Sequence, residues 1–402
     1  MYIESVELKN FRNYHLLSIS FDRETNIFFG DNAQGKTNIL EAMYVCGTTK
    51  SHRSAYDSEL IRFGEDEAHI RMHVNKDGVS HKIDMHLKKN KAKGAAIDGI
   101  PIRKASELFG LIKLVLFSPE DLNIIKSGPR ERRRFLDSQL CQLDRLYFSR
   151  LSDYNKILMQ RNKLLKDLAF QPSLEPTLDV WDEQLLHYGI PIIRQREQFV
   201  RDLNETVREI HYQLTCGKEE IRLFYEPDSD PYYFAEKLRQ NREKDLKYKT
   251  SSEGPHRDDF RVEINQVDIR HFGSQGQQRS AALSLKLSEI YLIRQKTGEM
   301  PVLLLDDVLS ELDSSRQKML LQNMNHVQTF ITCTGVDELV GNHFPMNRVF
   351  YVENGSAEIF RRERNFREGN PDGNQPFNRL KEETEQAETG GRNERETDNG
   401  NK

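Results

Sequence analysis

With 402 residues, 37% of them hydrophobic and 30% charged, the chain is long enough for two or three domains and reads as a polar, foldable, soluble protein. Its formal net charge of −4 excludes a globally basic nucleic-acid binder, so any such binding has to come from local patches. No apolar run reaches the roughly 18 residues of a membrane span. The opening MYIESVELKN carries Glu4 and Glu7 and is no signal peptide. The dispersed cysteines Cys46, Cys141, Cys216 and Cys333 argue against a zinc site or a disulfide framework and suit the cytoplasm.

Residues 1–118 are strand-rich. IESVELKNFRNYHLLSISF predicts a hairpin, and residues 83–102 a second one with a lysine-rich tip at Lys88, Lys89, Lys91 and Lys93. Between them Asn26 to Phe29 reads as a short strand and Thr37 to Met43 as a helix. They flank Gly30, Asp31, Asn32, Ala33, Gln34, Gly35, Lys36 and Thr37, which fit G-x-x-x-x-G-K-[ST]. Gly30 and Gly35 let backbone N–H groups turn toward the α- and β-phosphates of a nucleotide. Lys36 reaches the β- and γ-phosphates, and the Thr37 hydroxyl takes a place on Mg²⁺. The helix start adds its positive dipole end.

Residues 119–250 turn helical. Leu136, Leu140, Leu143, Tyr147, Leu151, Tyr154 and Leu158 form a one-face stripe, Pro172 and Pro176 interrupt it, and a second stripe runs from Trp181 to Leu214. The pattern predicts an antiparallel helical hairpin, either an ordinary subdomain or a coiled-coil arm. Near its start Lys126, Arg130, Arg132, Arg133 and Arg134 form a basic stretch with Glu131 as its one acid. It is a candidate DNA-phosphate contact or simply a solvated helix start, and the Lys88 to Lys93 tip is a second candidate. Neither has an aromatic platform for stacking single strands.

Strand–helix alternation returns over residues 251–362. Val302 to Leu305 form a buried strand that ends at Asp306, where a parallel sheet presents ligand groups. Asp306 is placed to hold Mg²⁺, directly or through water, and Asp307 to orient or activate an attacking water. Upstream, Ser274 is a natural N-cap for a helix through Ala281, Leu283, Leu285, Leu287 and Ile290, and its free N–H groups suit a phosphate. Residues 363–402 carry 7 Lys or Arg and 10 Asp or Glu with almost no large apolar residues, a polar tail expected to be disordered.

A P-loop, a Ser-x-Gly-Gln signature before a helix, an Asp-Asp strand end and Ser310-Glu311-Leu312-Asp313 resemble the ABC ATPases. LKNFRNY at residues 8–14 is similar to the SMC-like, DNA-repair branch. GDNAQGKTNILEA, LFSPEDLNIIKSGPRERRRFLD, GPHRDD, GSQGQQRS and LLLDDVLSELD resemble, most narrowly, the bacterial RecF family over about residues 1–360. The resemblance implies an α/β ABC-type head with an inserted α-helical second domain in place of a long coiled coil. It implies ATP and Mg²⁺ as cofactors and an ATP-dependent homodimer clamped on single-stranded, gapped or junction DNA. In that dimer Ser274, Gly276 and Gln277 would act in trans on the γ-phosphate held by the partner copy, with Asp313 near the interface. Recombinase loading, replication restart, SOS induction, a cytoplasmic location and RecR- and RecO-type mediator partners follow from the same resemblance.

The chain also departs from the general ABC pattern. Gln275 stands where the signature usually has Gly, and Asp307 where transporters carry Glu. Ile331-Thr332-Cys333-Thr334 stand where transporters often have His, and Phe117 to Glu120 lack the glutamine of a glutamine loop. These departures suggest slow, switch-like turnover. Two other readings remain: a structural clamp that scarcely hydrolyses ATP, and a transporter nucleotide-binding subunit, which the helical insertion fits poorly.

Overall fold

The first two expected strands, β1 (Tyr2–Phe11) and β2 (Tyr14–Ser20), pair antiparallel around Arg12-Asn13, with Arg12 at φ +54°. The computed structural model describes residues 1–309, 312, 316, 317, 320, 327–335 and 346–360. The tail and the expected interface residues Ser310, Glu311 and Asp313 lie outside these. After β2 the chain enters β3 (Thr25–Phe29), the glycine loop and helix α1 (Lys36–Thr48). It then returns to the first sheet through β4 (Glu67–Lys76), β5 (Val79–Lys88), β6 (Gly94–Ile97) and β7 (Ile100–Pro101), giving the antiparallel order β2-β1-β4-β5-β6-β7.

β8 (Leu114–Phe117) leads into the helical region: α2 (Asn123–Lys126), α3 (Pro129–Leu143), α4 (Arg145–Asp167) and α5 (Leu178–Leu214). The first apolar stripe is therefore two helices. Asp144 stops α3 at φ −140°, and its carboxylate accepts the Leu146 N–H to cap α4. An apolar period cannot register such a break, because both helices keep the same buried face. α4 and α5 run antiparallel: Arg161 meets Asp182, Arg150 meets Gln195, and Tyr147 meets Arg196. The pair is no free coiled-coil arm, because α5 also packs on α9 and β9.

The helical expectation for residues 119–250 also needs a correction. β9 (Ile221–Glu226) lies within it and, after α6 (Phe234–Gln240) and α7 (Arg242–Tyr248), forms a small sheet with β10 (Asp259–Ile264) and β11 (Val267–Asp268). Six residues with two buried positions are too short to compete with the flanking helical pattern.

The chain continues through α8 (Ile269–Phe272), α9 (Gln275–Thr297), β12 (Val302–Asp306), β13 (Thr329–Cys333), β14 (Arg348–Glu353) and β15 (Ser356–Ile359). The second sheet has the order β15-β14-β3-β13-β12-β8, parallel throughout except for the β14–β15 hairpin. Its strands β3, β8, β12 and β13 are buried on both faces, which explains their unbroken apolar runs. Phe28, Val302, Leu304 and Phe330 pack with α1 and the antiparallel sheet. Their neighbours Ile27, Leu303, Leu305 and Ile331 pack on the opposite side against Leu283, Leu287 and Ile290 of α9.

Candidate nucleotide site

The parallel register sets β13 between the glycine-loop strand β3 and the Asp306 strand β12. All three strands end on the same side, and their last residues converge. Thr37, on the first turn of α1, donates its hydroxyl to Asp306 Oδ1 at 2.7 Å, and Thr332, at the end of β13, donates to the same oxygen at 2.8 Å. The Thr332 hydroxyl in turn accepts the Asp307 N–H at 2.9 Å. Burial raises the Asp306 carboxyl above the ordinary carboxylate range, and Asp307 adds to this against the pull of the two threonines. Asp307 turns off the strand at φ +52°, a left-handed conformation that Asp and Asn tolerate best among non-glycine residues. Three hydroxyl and carboxylate oxygens on rigid strand and helix ends are a hard-oxygen set of the kind Mg²⁺ takes.

The glycine loop is built for close backbone approach. Gly30 sits at φ +147°, and a Cβ there would fall 2.3 Å from the Val352 carbonyl oxygen of β14. Gly35 sits at φ +118°, where a Cβ would meet Asn13 and the Tyr14 hydroxyl at 2.5 and 2.8 Å. Lys36 is buried and folds its ammonium back onto the Gly30 and Asp31 carbonyls at 2.7 and 2.9 Å.

Sequence reasoning missed the residues that hold this loop from outside. Asn13 donates to the Gln34 carbonyl at 2.8 Å and accepts from Asn38, Tyr14 donates to the Gly35 carbonyl, and the Asn354 N–H reaches the Gln34 side chain. Arg12 makes a two-pronged ion pair with Glu41 of α1 at 2.7 and 2.8 Å. Burial alone would raise the Glu41 pKa, but the hydrogen bonds of Arg12 and Ser51 outweigh it and keep the carboxyl low. The signal was present, since Arg12, Asn13 and Tyr14 all belong to the LKNFRNY stretch, but spacing alone gave those residues no task.

Ser274 caps α9 as expected. Its Oγ accepts the Gln277 N–H at 3.2 Å, the Gln277 side-chain Oε1 accepts the Ser274 N–H at 3.0 Å, and the Gln277 side-chain Nε2 donates to Glu219. Among the described residues no hydrogen bond joins this turn to the glycine loop of the same chain. Gly276 contrasts with Gly30 and Gly35: its φ is not positive, and a Cβ would find its nearest atom 3.9 Å away. Nothing among the described residues requires glycine there.

The basic stretch divides. Arg132 is corrected from a surface DNA contact to an interior tie. It is 3% exposed, pairs through both nitrogens with Asp259 at 2.5 and 2.8 Å, and donates to the Ser127 carbonyl. Arg133 donates to the Asp258 carbonyl, and Arg134 to the Ser51 and His52 carbonyls, while Arg130 and Lys126 are exposed. At the lysine-rich tip Lys88 and Lys89 pair with Glu67 and Asp66, Lys93 bonds Asp57, and Lys91 is exposed.

GPHRDD, which had no role by spacing, is the polar centre of the helical region. Gly254 at φ +125° lies where a Cβ would fall 2.6 Å from the Tyr154 hydroxyl, and His256 Nδ1 is 2.7 Å from that same hydroxyl. Buried Asp258 binds Arg196 of α5 at 2.9 Å and Tyr225 of β9. Arg196 also reaches Asp137 of α3 at 2.8 Å.

Residues 2–358 match the family described as RecF/RecN/SMC N terminal domain. The chain is 58% identical to the DNA replication and repair protein RecF of Agathobacter rectalis, over 89% of this chain and 99% of that protein. The RecF of Lachnospira eligens is 57% identical over 88% and 98%. The chain belongs to the RecF family.

Among solved structures, a recombination mediator protein of the RecFOR pathway, RecF-ATP, superposes with a TM-score of 0.83 at 36% identity, covering 90% of this chain and 98% of that one. An Smc head domain of Pyrococcus furiosus superposes at 0.52 and 17% identity, a likeness of fold. Fold and family membership together make this a DNA replication and repair protein of the SMC-like ABC ATPases, an ABC head with a helical insertion. Membership of the RecF family, not of a transporter family, takes the ground from the transporter reading. No helix among the described residues is long and apolar enough to cross a membrane.

Proposed function

We propose that the chain is an ATP-driven DNA clamp of replication and repair, with a catalytic head and a helical second domain that takes in the small sheet of β9, β10 and β11. The observation that carries the reading is the Thr37–Asp306 hydrogen bond, which joins the glycine loop to an acidic strand end 269 positions away. ATP lies along residues 30–37, the loop N–H groups take the α- and β-phosphates, and Lys36 leaves the Gly30 and Asp31 carbonyls for the β- and γ-phosphates. Thr37 and Asp306 would hold Mg²⁺, with Thr332 fixing the Asp306 rotamer. When bound, the ion neutralises charge on the β- and γ-phosphate oxygens. Asp307 orients the water that attacks the γ-phosphate.

Ser274, Gly276 and Gln277 close the site from a second copy. The free space at Gly276 supports this, since a bare backbone at a helix N-terminus favours an approaching phosphate. Exposed Arg130, with the half-exposed Arg134 and with Arg133, offers charge for DNA phosphates. Single-stranded, gapped or junction DNA as ligand, recombinase loading, replication restart, SOS induction, a cytoplasmic setting and RecR- and RecO-type partners come to this chain from its family. The RecF-ATP relative, a recombination mediator protein of the RecFOR pathway, supports ATP as the nucleotide.

Sedimentation with ATP and Mg²⁺, with and without gapped DNA, tests the reading against Lys36→Arg. Dimerisation that needs ATP, strengthens on DNA and is lost in the variant supports the clamp, and a monomer indifferent to both ligands overturns it. Asp307→Asn separates a hydrolytic switch from a structural clamp: the first predicts trapped ATP-bound dimers, the second wild-type behaviour.

A further inference from the structure

The outer face of the antiparallel sheet carries two histidines and a glutamate on neighbouring strands. On β4 and β5 the core-facing residues are Ala68, Ile70, Met85 and Leu87, so Glu67, His69 and His86 share the solvent face. Register sets His69 directly opposite His86, with Glu67 one step along the same face opposite Lys88. The imidazole rings stack with centroids 3.9 Å apart and planes 22° apart. Both Nε2 atoms face the Glu67 carboxylate, His86 at 3.1 Å from one oxygen and His69 at 3.8 Å from the other. The three donor atoms lie within 4.8 Å of one another. A tetrahedral ion with bonds of about 2.0–2.1 Å needs donor–donor edges of roughly 3.3 Å, so binding draws the three donors together and turns the stacked rings until their Nε2 lone pairs converge.

We propose that Glu67, His69 and His86 form a binding site for one divalent transition-metal ion, zinc being the ion this donor set fits best, with its fourth position open to water or an outside ligand. Two imidazoles and a carboxylate are a zinc donor set, and imidazole disfavours Mg²⁺ and Ca²⁺. Gly94 faces His86 on the next strand, so no side chain covers that flank. Lys88, 3.0 Å from Glu67, competes for the carboxylate, and Lys9, opposite His69 on β1, adds unfavourable positive charge. The bound ion would staple β4 to β5, independently of any nucleotide.

Calorimetric titration of the full chain with ZnCl₂, in excess MgCl₂ so that oxygen-donor sites are occupied, tests this directly. One Zn²⁺ per chain is expected. His69→Gln and His86→Gln should each weaken it at least about tenfold, while Lys88→Ala should tighten it several-fold by freeing the carboxylate. Zinc should raise the melting temperature of the wild type and not of either histidine variant, while the metal-free melting temperatures stay equal because these side chains are on the surface. Histidine variants that bind zinc like the wild type, or a wild type that binds none, would overturn the proposal.

Discussion

His256 is half-buried beside the Tyr154 hydroxyl with Arg257 and Arg133 nearby, and desolvation lowers its pKa from 6.5 to about 4. Between those values the unfolded chain takes up a proton that the folded chain refuses, so stability falls as pH drops from about 6.5 to 4 and is level below that. His52, lowered to about 4 by burial, acts in the same direction. Replacing His256 by Gln should therefore shrink the loss of stability between pH 7 and pH 5, read as urea midpoints at the two values. An unchanged loss would place the titrating groups elsewhere. At Gly254 the constraint is steric: with φ +125° and a Cβ 2.6 Å from the Tyr154 hydroxyl, Gly254→Ala should destabilise the helical region by several kcal/mol, of order 3, in chemical denaturation.

α9 shows how one element serves both fold and site. Its Ser274–Gln277 capping box is a local stabiliser, and losing such a cap costs about 1 kcal/mol. Ser274→Asp keeps a capping acceptor but places a negative charge where the proposal seats a phosphate. That variant should unfold like the wild type and fail to dimerise with ATP. Gly276→Ala tests the same turn from the other side. A helical glycine is worse than alanine by up to about 1 kcal/mol, and the space around it is open. The variant should be slightly more stable and defective in ATP-dependent dimerisation, and normal dimerisation would remove the turn from the interface. At the other end of the helical region, Asp144 divides one apolar stripe into two helices and ties α4 to Gln195 of α5 at 2.8 Å.

Across the whole molecule the glycine loop is clamped by segments from both ends of the chain. The β1–β2 turn holds it through Asn13 and Tyr14, and the β14–β15 turn through Asn354, with Val352 against Gly30. Ligand at the loop should therefore stabilise the entire head. ATP at a hundred times its Kd should add about 2.7 kcal/mol to unfolding, a stabilisation that Lys36→Ala removes in thermal melts. Asp258 plays the matching part in the helical region, since Arg196 links it to α5, and through Asp137 to α3. Asp258→Ala leaves a buried guanidinium half-paired and should cost about 3 kcal/mol or more in denaturant unfolding.

The glycine loop, the capped α9 and the buried Asp306 strand were legible in the residues, because each rests on local chemistry: positive φ at glycine, a hydroxyl cap, an apolar run ending in an acid. The two hairpins and the two long apolar stripes were legible for the same reason, as periodicity follows from which face is buried, whereas β4, the strand that joins the hairpins into one sheet, was not read. Tertiary structure decided what local rules do not encode. Parallel register brought Thr332 to Asp306, packing against Asp259 took Arg132 out of solvent, and cross-strand pairing set His69 on His86. Each of these joins residues far apart in sequence, and an apolar pattern specifies a face but not its neighbour.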